Sequence, residues 1–166
     1  RRRETARLKK SGAPYHLVLL QLAHDASFTM HGDFPGMREF LETCCQGFAA
    51  GASAHHRLVF KTHPLEDGRE PLQRYLREVS RDAGISDRVH LIRGGKLAPL
   101  ISRANTAVTV NSTAGQQVLL RGMPLRIFGK AIYAKPEFVS NQPLEEFFKD
   151  PKLPDTAAYR DFRQFL

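Results

Sequence analysis

The stretch 106-TAVTVNSTAGQQVLLRG-122 decides the fold. It opens on an apolar run, Thr106 to Val110, short and rich in β-branched residues, as a buried strand is. Three small polar residues, Asn111, Ser112 and Thr113, follow at once. Ala114, Val118 and Leu119 then recur at helical spacing, and Gly122 stands where a helix can close through a left-handed residue. Strand, polar turn and helix occupy one short segment, so the unit is a βα step.

Four more apolar runs of the same kind lie on either side: 16-HLVLLQL-22, 57-RLVFKT-62, 88-RVHLIR-93 and 124-PLRIFG-129. Most lack strict alternation, the pattern of strands buried on both faces. Helical stripes fill the gaps. Met37, Phe40, Leu41, Cys44, Cys45 and Phe48 form one, and Leu72, Tyr75, Leu76 and Val79 form another behind Pro71. A shorter one carries Leu97, Leu100 and Ile101. Five alternations of strand and helix predict an α/β fold: a parallel sheet of about five strands with flanking helices. From residue 135 the chain changes, with Pro136, Phe138, Pro143, Phe147, Phe148, Pro151 and Pro154, and a last helix is expected behind Asp155 as N-cap. The division is therefore 1–14 as a basic tail or linker, 15–134 as the α/β domain, and 135–166 as a Pro- and aromatic-rich extension ending in a helix.

With 166 residues, 42% hydrophobic and 25% charged, the chain can bury one real core. No apolar run reaches the length that crosses a bilayer, and no signal peptide is visible. The first residue is Arg1, so a fragment or a processed chain is expected. Net charge is +8, yet residues 1–10 alone hold Arg1, Arg2, Arg3, Arg7, Lys9 and Lys10 against Glu4. The basicity is thus largely a property of the tail. Two readings fit it: attraction to a phosphate-rich surface, nucleic acid or anionic lipid, or a solvated linker or terminal helix. Cys44 and Cys45 are neighbours within an apolar stripe, so buried small hydrophobes in a reducing, cytoplasmic compartment are expected.

An open parallel sheet binds ligands at the carboxyl ends of its strands, where strand order reverses. Those ends carry Gln21, His24, Asp25 and Ser27; Lys61, His63 and Pro64, then Glu66, Asp67 and Gly68; Arg93, Gly94, Gly95 and Lys96; Asn111, Ser112 and Thr113; and Gly129, Lys130 and Tyr133. Donors and cations outnumber acids, so the edge suits an anion. Ser112 or Thr113 at the helix start, with free N–H groups and the helix dipole behind it, suits a phosphate, and Gly115 permits close approach to the backbone. Either residue could equally be a plain helix cap. His63 before Pro64 has an extended backbone that could aim its ring at a nucleotide, and Lys61 falls on the same side unless it is a solvated rim charge. His24 and Asp25 could be a base and its orienter, or a polar loop. Glu66 and Asp67 before Gly68 fit turn chemistry. P-loop, GxGxxG, HExxH and GxSxG patterns are absent.

Together, 21-QLAHDASF-28, 59-VFKTHPLEDG-68, 88-RVHLIRGG-95, 109-TVNSTAGQQVLLRGMPLRIFGKAIY-133 and 144-LEEFFKDPKLPD-155 closely resemble the capsule polysaccharide synthesis and export family of Gram-negative bacteria, from about residue 15 onward. That resemblance implies the Rossmann-like C-terminal, nucleotide-sugar half of a GT-B glycosyltransferase, a β-Kdo transferase using CMP-Kdo. It implies His63 with Pro64 on the CMP, Ser112 with Thr113 on the phosphate, and Gln21 and Asp25 lining the same cleft. It places the general base in an N-terminal domain outside this chain. It implies no cofactor and no metal, a lipid-linked glycan acceptor at the inner membrane, and a cytoplasmic protein peripheral to that membrane. Gln116-Gln117 and Lys135-Pro136-Glu137 depart from the family pattern. The expected function is the CMP-Kdo-like donor domain of an enzyme making the poly-Kdo linker of a capsule. The alternative is a non-catalytic glycan- or complex-binding module of capsule export. Nucleic-acid binding ranks last, because no aromatic-basic interleaving accompanies the charge.

Overall fold

The computed structural model describes residues 2–22 and 34–166. Five parallel strands form one sheet: β1 (Tyr15–Leu19), β2 (Arg57–Lys61), β3 (Val89–Ile92), β4 (Thr106–Thr109) and β5 (Leu125–Ile127). Their order is β3-β2-β1-β4-β5. The chain winds outward from β1 through β2 to β3, then returns to the other side of β1 and winds to β5. The reversal falls between β1 and β4, where His16 pairs with Thr106 and Val18 with Val108. This is the Rossmann-like parallel sheet that the apolar runs predict.

The strands are shorter than those runs. Leu20 still donates its N–H to the Lys61 carbonyl, but the ladder then ends and Gln21 turns to side-chain bonding. Alternate residues feed two cores. Val18, Leu58, Phe60 and Val108 face α2 (Met37–Gly51), α3 (Leu72–Asp82) and α6 (Leu144–Lys149). Leu17, Leu19, Val59 and Ala107 face α1 (Arg2–Ser11), α4 (Leu97–Arg103), α5 (Gly115–Leu120) and α7 (Thr156–Arg163). Each fully buried Phe or Leu adds about 2 kcal/mol of transfer energy before entropy is counted. Cys44 and Cys45 are free and wholly buried, and burial pushes both thiols up, to about 12 for Cys45.

Two features go beyond the sequence reading, the docking of the terminal helix and the helix after Pro143. Residues 2–11 form a helix that docks on the fold through Leu8, which is buried, and through Glu4 and Arg7 at His90. Residues 144–149 form α6 against α2, which carries Gly47 and Gly51 at the contact. A Cβ on Gly47 would lie 2.4 Å from the Leu144 Cβ, and one on Gly51 would lie 1.9 Å from the Glu145 carbonyl oxygen. The last helix starts as expected: the Asp155 carboxylate accepts the Ala158 N–H at 3.0 Å. Gly122 closes α5 at φ +70°.

Candidate functional site at the carboxyl edge of the sheet

The edge is built outward from β4. Thr109, the last residue of that strand, donates its hydroxyl to the Leu19 carbonyl at 3.1 Å and accepts the Ser112 N–H at 3.4 Å. It ties the ends of β1 and β4 together across the switch point. Gln21 continues the tie. Its Oε1 accepts the Asn111 N–H at 2.8 Å, and its Nε2 donates to Asn111 Oδ1 at 2.6 Å. Gln21 is buried, with both ends of its amide engaged. It holds the Asn111–Thr113 turn in place.

Ser112 and Thr113 precede α5, which begins at Gly115 behind Ala114. The Ser112 Oγ accepts the Ala114 N–H at 3.1 Å, which leaves the hydroxyl proton to donate outward. The amides of Gly115, Gln116 and Gln117 do not point free, because each bonds a carbonyl three residues back at 3.1 Å. The expected crown of open helix N–H groups is therefore mostly spent on a tight first turn. What stays open among the described residues is the Thr113 N–H and the two hydroxyls of Ser112 and Thr113.

Tyr133 braces this turn from below. Its ring is buried and its hydroxyl donates to the Ser112 carbonyl. Burial raises its pKa, with Tyr159 adding to the shift, so the phenol stays protonated. Gly115 serves that contact: a Cβ there would lie 2.5 Å from the Tyr133 hydroxyl. The close approach at Gly115 is thus made by Tyr133, and Tyr133 supports Ser112 from inside.

Two strands away, β2 delivers His63. The Leu65 N–H donates to His63 Nδ1 at 3.0 Å, which puts the proton of the neutral ring on Nε2 and turns a donor outward. His63 and the exposed Pro64 line a cleft of about 310 Å³ with Thr62, Arg93 and Gly94. Within it, Arg93 meets the Glu66 carboxylate at 2.6 Å, and Glu66 also accepts the Gly68 N–H at 2.7 Å. Glu66 is therefore both turn chemistry and the counter-charge of Arg93. Lys61 is buried, bonds the Thr62 carbonyl at 3.1 Å, and has its pKa lowered by burial. It is not a solvated rim charge. Gly94 and Gly95 make the turn out of β3, at φ +72° and +79°. His24, Asp25 and Ser27 lie outside the described residues.

The edge thus carries two groups of candidates. Gln21, Asn111, Ser112 and Tyr133 join in one bonded set with Thr109. His63, Pro64 and Gly94 share the second cleft. With β1 between β2 and β4, the strands that deliver the two groups lie about 10 Å apart. Sequence reasoning did not single out Thr109. Its only signal was a hydroxyl two residues before the polar turn, in a run where β-branched residues are expected anyway.

A doubly wound parallel sheet with its polar donors gathered at the switch point is a Rossmann-like fold, and it resembles the C-terminal domain of GT-B glycosyltransferases. Solved structures bear out that fold. The chain superposes on Thermosulfurimonas dismutans KpsC, a beta Kdo 2,7 transferase, at TM-score 0.58 and 17% identity, over 95% of this chain and 50% of that one. It superposes on a Thermobaculum terrenum O-GlcNAc transferase mutant at TM-score 0.55 and 16% identity, over 93% of this chain and 32% of that one. The chain belongs to the capsule polysaccharide biosynthesis protein family, whose model matches residues 2–166. Among curated relatives it is 26% identical to the capsule polysaccharide export protein KpsS of Escherichia coli, over 92% of this chain and 39% of that protein. It is 29% identical to the capsule polysaccharide modification protein LipB of Neisseria meningitidis, over 91% and 36%. The chain thus spans well under half the length of these relatives. Among the described residues no helix is long and apolar enough to cross a membrane.

Proposed function

We propose that this chain is the donor-binding domain of a glycosyltransferase that acts in capsule polysaccharide biosynthesis, and that its donor is a CMP-sugar of the CMP-Kdo type. The observation that carries the reading is the set of outward donors at the carboxyl edge. Ser112 and Thr113 offer two hydroxyls and one N–H, and His63 offers Nε2–H about two strand spacings away. Both acids that line the His63 cleft are already paired, Glu66 with Arg93 and Asp67 with Arg69.

When a CMP-sugar reacts, CMP departs as a phosphate monoester carrying added negative charge. Hydroxyl and N–H donors fixed before the reaction stabilise that charge without having to reorganise. Ser112 and Thr113 fill this role, held by Gln21, Thr109 and Tyr133 beneath them. His63 binds the nucleotide, its ring fixed by the Leu65 amide. No metal is needed for this charge, and the acceptor's base comes from a domain outside this chain. The acceptor is a lipid-linked glycan at the inner membrane.

The test is calorimetry with CMP and UDP on the 166-residue chain. CMP should bind, and more tightly than UDP. Absence of CMP binding, or tighter UDP binding, removes the donor assignment. Binding of capsular oligosaccharide that CMP does not displace would favour the second reading, a non-catalytic glycan-binding module of capsule export. The internal use of the Gly115–Gln117 amides leaves room for that reading, since it thins the phosphate seat.

A further inference from the structure

The basic run at the start of the chain is not consumed by the donor cleft. It folds into α1, and α1 forms one wall of a second cavity of about 590 Å³, with α4 as the other wall. The interior is aliphatic: Leu8 from α1, Ala13 and Pro14 from the connection to β1, and Ile92 and Leu100 from the β3–α4 unit. Tyr15, the only aromatic ring in the lining among the described residues, spends its hydroxyl on the Leu100 carbonyl at 2.5 Å. Lys9, Lys96 and Arg103 stand around this interior, all three exposed. No acidic side chain lines the cavity, and none of the three cations has an acidic partner among the described residues. On the same helix, Arg3 and Lys10 are exposed as well.

We propose that the groove between α1 and α4 docks an anionic phospholipid of a membrane surface. An aliphatic interior under three unpaired cations complements an acyl chain below a phosphate headgroup. Single-stranded nucleic acid would call for stacking rings and an open electropositive track. This groove has a half-open, mostly aliphatic pocket instead, with Thr5 and Asn105 as its uncharged polar side chains besides the Tyr15 hydroxyl. Gly94 borders both this groove and the cleft that holds His63. A membrane at the groove would therefore lie beside the carboxyl edge of the sheet. The proposal stands on the groove alone and does not require CMP at that edge.

The experiment is flotation of the 166-residue chain with phosphatidylcholine vesicles made with and without phosphatidylserine. Binding is expected only when the anionic lipid is present. Each basic group near an anionic surface is worth about fivefold in partition, so Lys9→Gln, Lys96→Gln and Arg103→Gln combined should lower it roughly 100-fold. Leu100→Asn leaves the charge unchanged but trims the aliphatic wall, and should lower partition about tenfold. Arg160→Gln with Arg163→Gln removes cations from α7 and should change it by less than about threefold. Thermal melts of each variant establish that it is folded. The proposal is overturned if the α7 variant loses as much as the groove variant, since attraction would then be diffuse. It is also overturned if Leu100→Asn binds like the parent, if inorganic phosphate abolishes vesicle binding, or if an RNA oligonucleotide displaces the vesicles.

Discussion

The two ends of the same sheet treat polar residues in opposite ways. At the amino edge they face one another. His16 is buried, with Nδ1 at 2.7 Å from the Thr106 hydroxyl and Nε2 at 3.1 Å from His56 Nδ1. Phe148 and Phe48 pack on its ring, at centroid distances of 4.9 and 6.0 Å. His90 is buried too, with Nε2 at 3.3 Å from the Arg57 guanidinium and Nδ1 at 3.2 Å from both Glu4 and Arg7. At the carboxyl edge a buried layer of Gln21, Thr109 and Tyr133 supports an outer layer whose donors point away from the fold. Both ends carry histidine and hydroxyl groups, His16 with Thr106 at the amino edge and His63 with Ser112 and Thr113 at the carboxyl edge. What separates structure from site is where the last donor points.

That contrast can be broken from either end. The largest effect should come from acid. Burial lowers the His16 pKa to about 3, with His56 and Arg88 adding repulsion. In the unfolded chain the ring protonates near its ordinary 6.5, so the unfolded state binds the proton first as pH falls. Stability should therefore drop from pH 6.5 downward, by about 4 kcal/mol near pH 3. His56 and His90 are lowered as well and add to the loss with the same sign. Urea midpoints against pH should show this slope, and His16→Gln should flatten part of it. An unchanged slope in His16→Gln would remove His16 from the account.

Next in size is Gly51→Ala, which drives a Cβ to 1.9 Å from the Glu145 carbonyl oxygen and should destabilise by about 3 kcal/mol. CMP affinity, normalised to folded protein, should stay unchanged. Ser112→Ala with Thr113→Ala should do the reverse. CMP affinity should fall about 30-fold, while stability falls by no more than about 1 kcal/mol for the lost Ala114 N–H partner. If stability fell and affinity did not, the two hydroxyls would be caps. The smallest effect belongs to Tyr133→Phe. Losing the bond to the Ser112 carbonyl should lower stability by about 1 kcal/mol and weaken CMP slightly, because the turn loosens.

The sheet was legible because five short β-branched runs have few ways to be buried on both faces. The polar turn after β4 was legible for a related reason: small hydroxyl residues at the mouth of a buried strand stand out. What the sequence could not convey is which polar atoms are already taken. Gln21, Lys61 and Tyr133 have the composition of site residues, yet their polar ends are bonded inside the fold. Gly115 suggested room for a ligand, but Tyr133 fills it. The docking of α1 also escaped the pattern, because it rests on one buried apolar residue, Leu8, and on a cluster joining residues more than 80 positions apart. The reversal of strand order after β3 that makes β1 and β4 neighbours was expected from the fold type, but no local signal writes it in the chain.

The central claim is that the outer layer at the carboxyl edge receives the nucleotide phosphate while the amino edge is structural. Amide- and imidazole-resolved NMR during a CMP titration tests it most directly. The largest shifts should fall at the Thr113 and Ala114 amides and at His63 Nε2, with His16, His56 and His90 unmoved. Shifts centred on the amino-edge histidines, or none at Thr113 and His63 under saturating CMP, would contradict it.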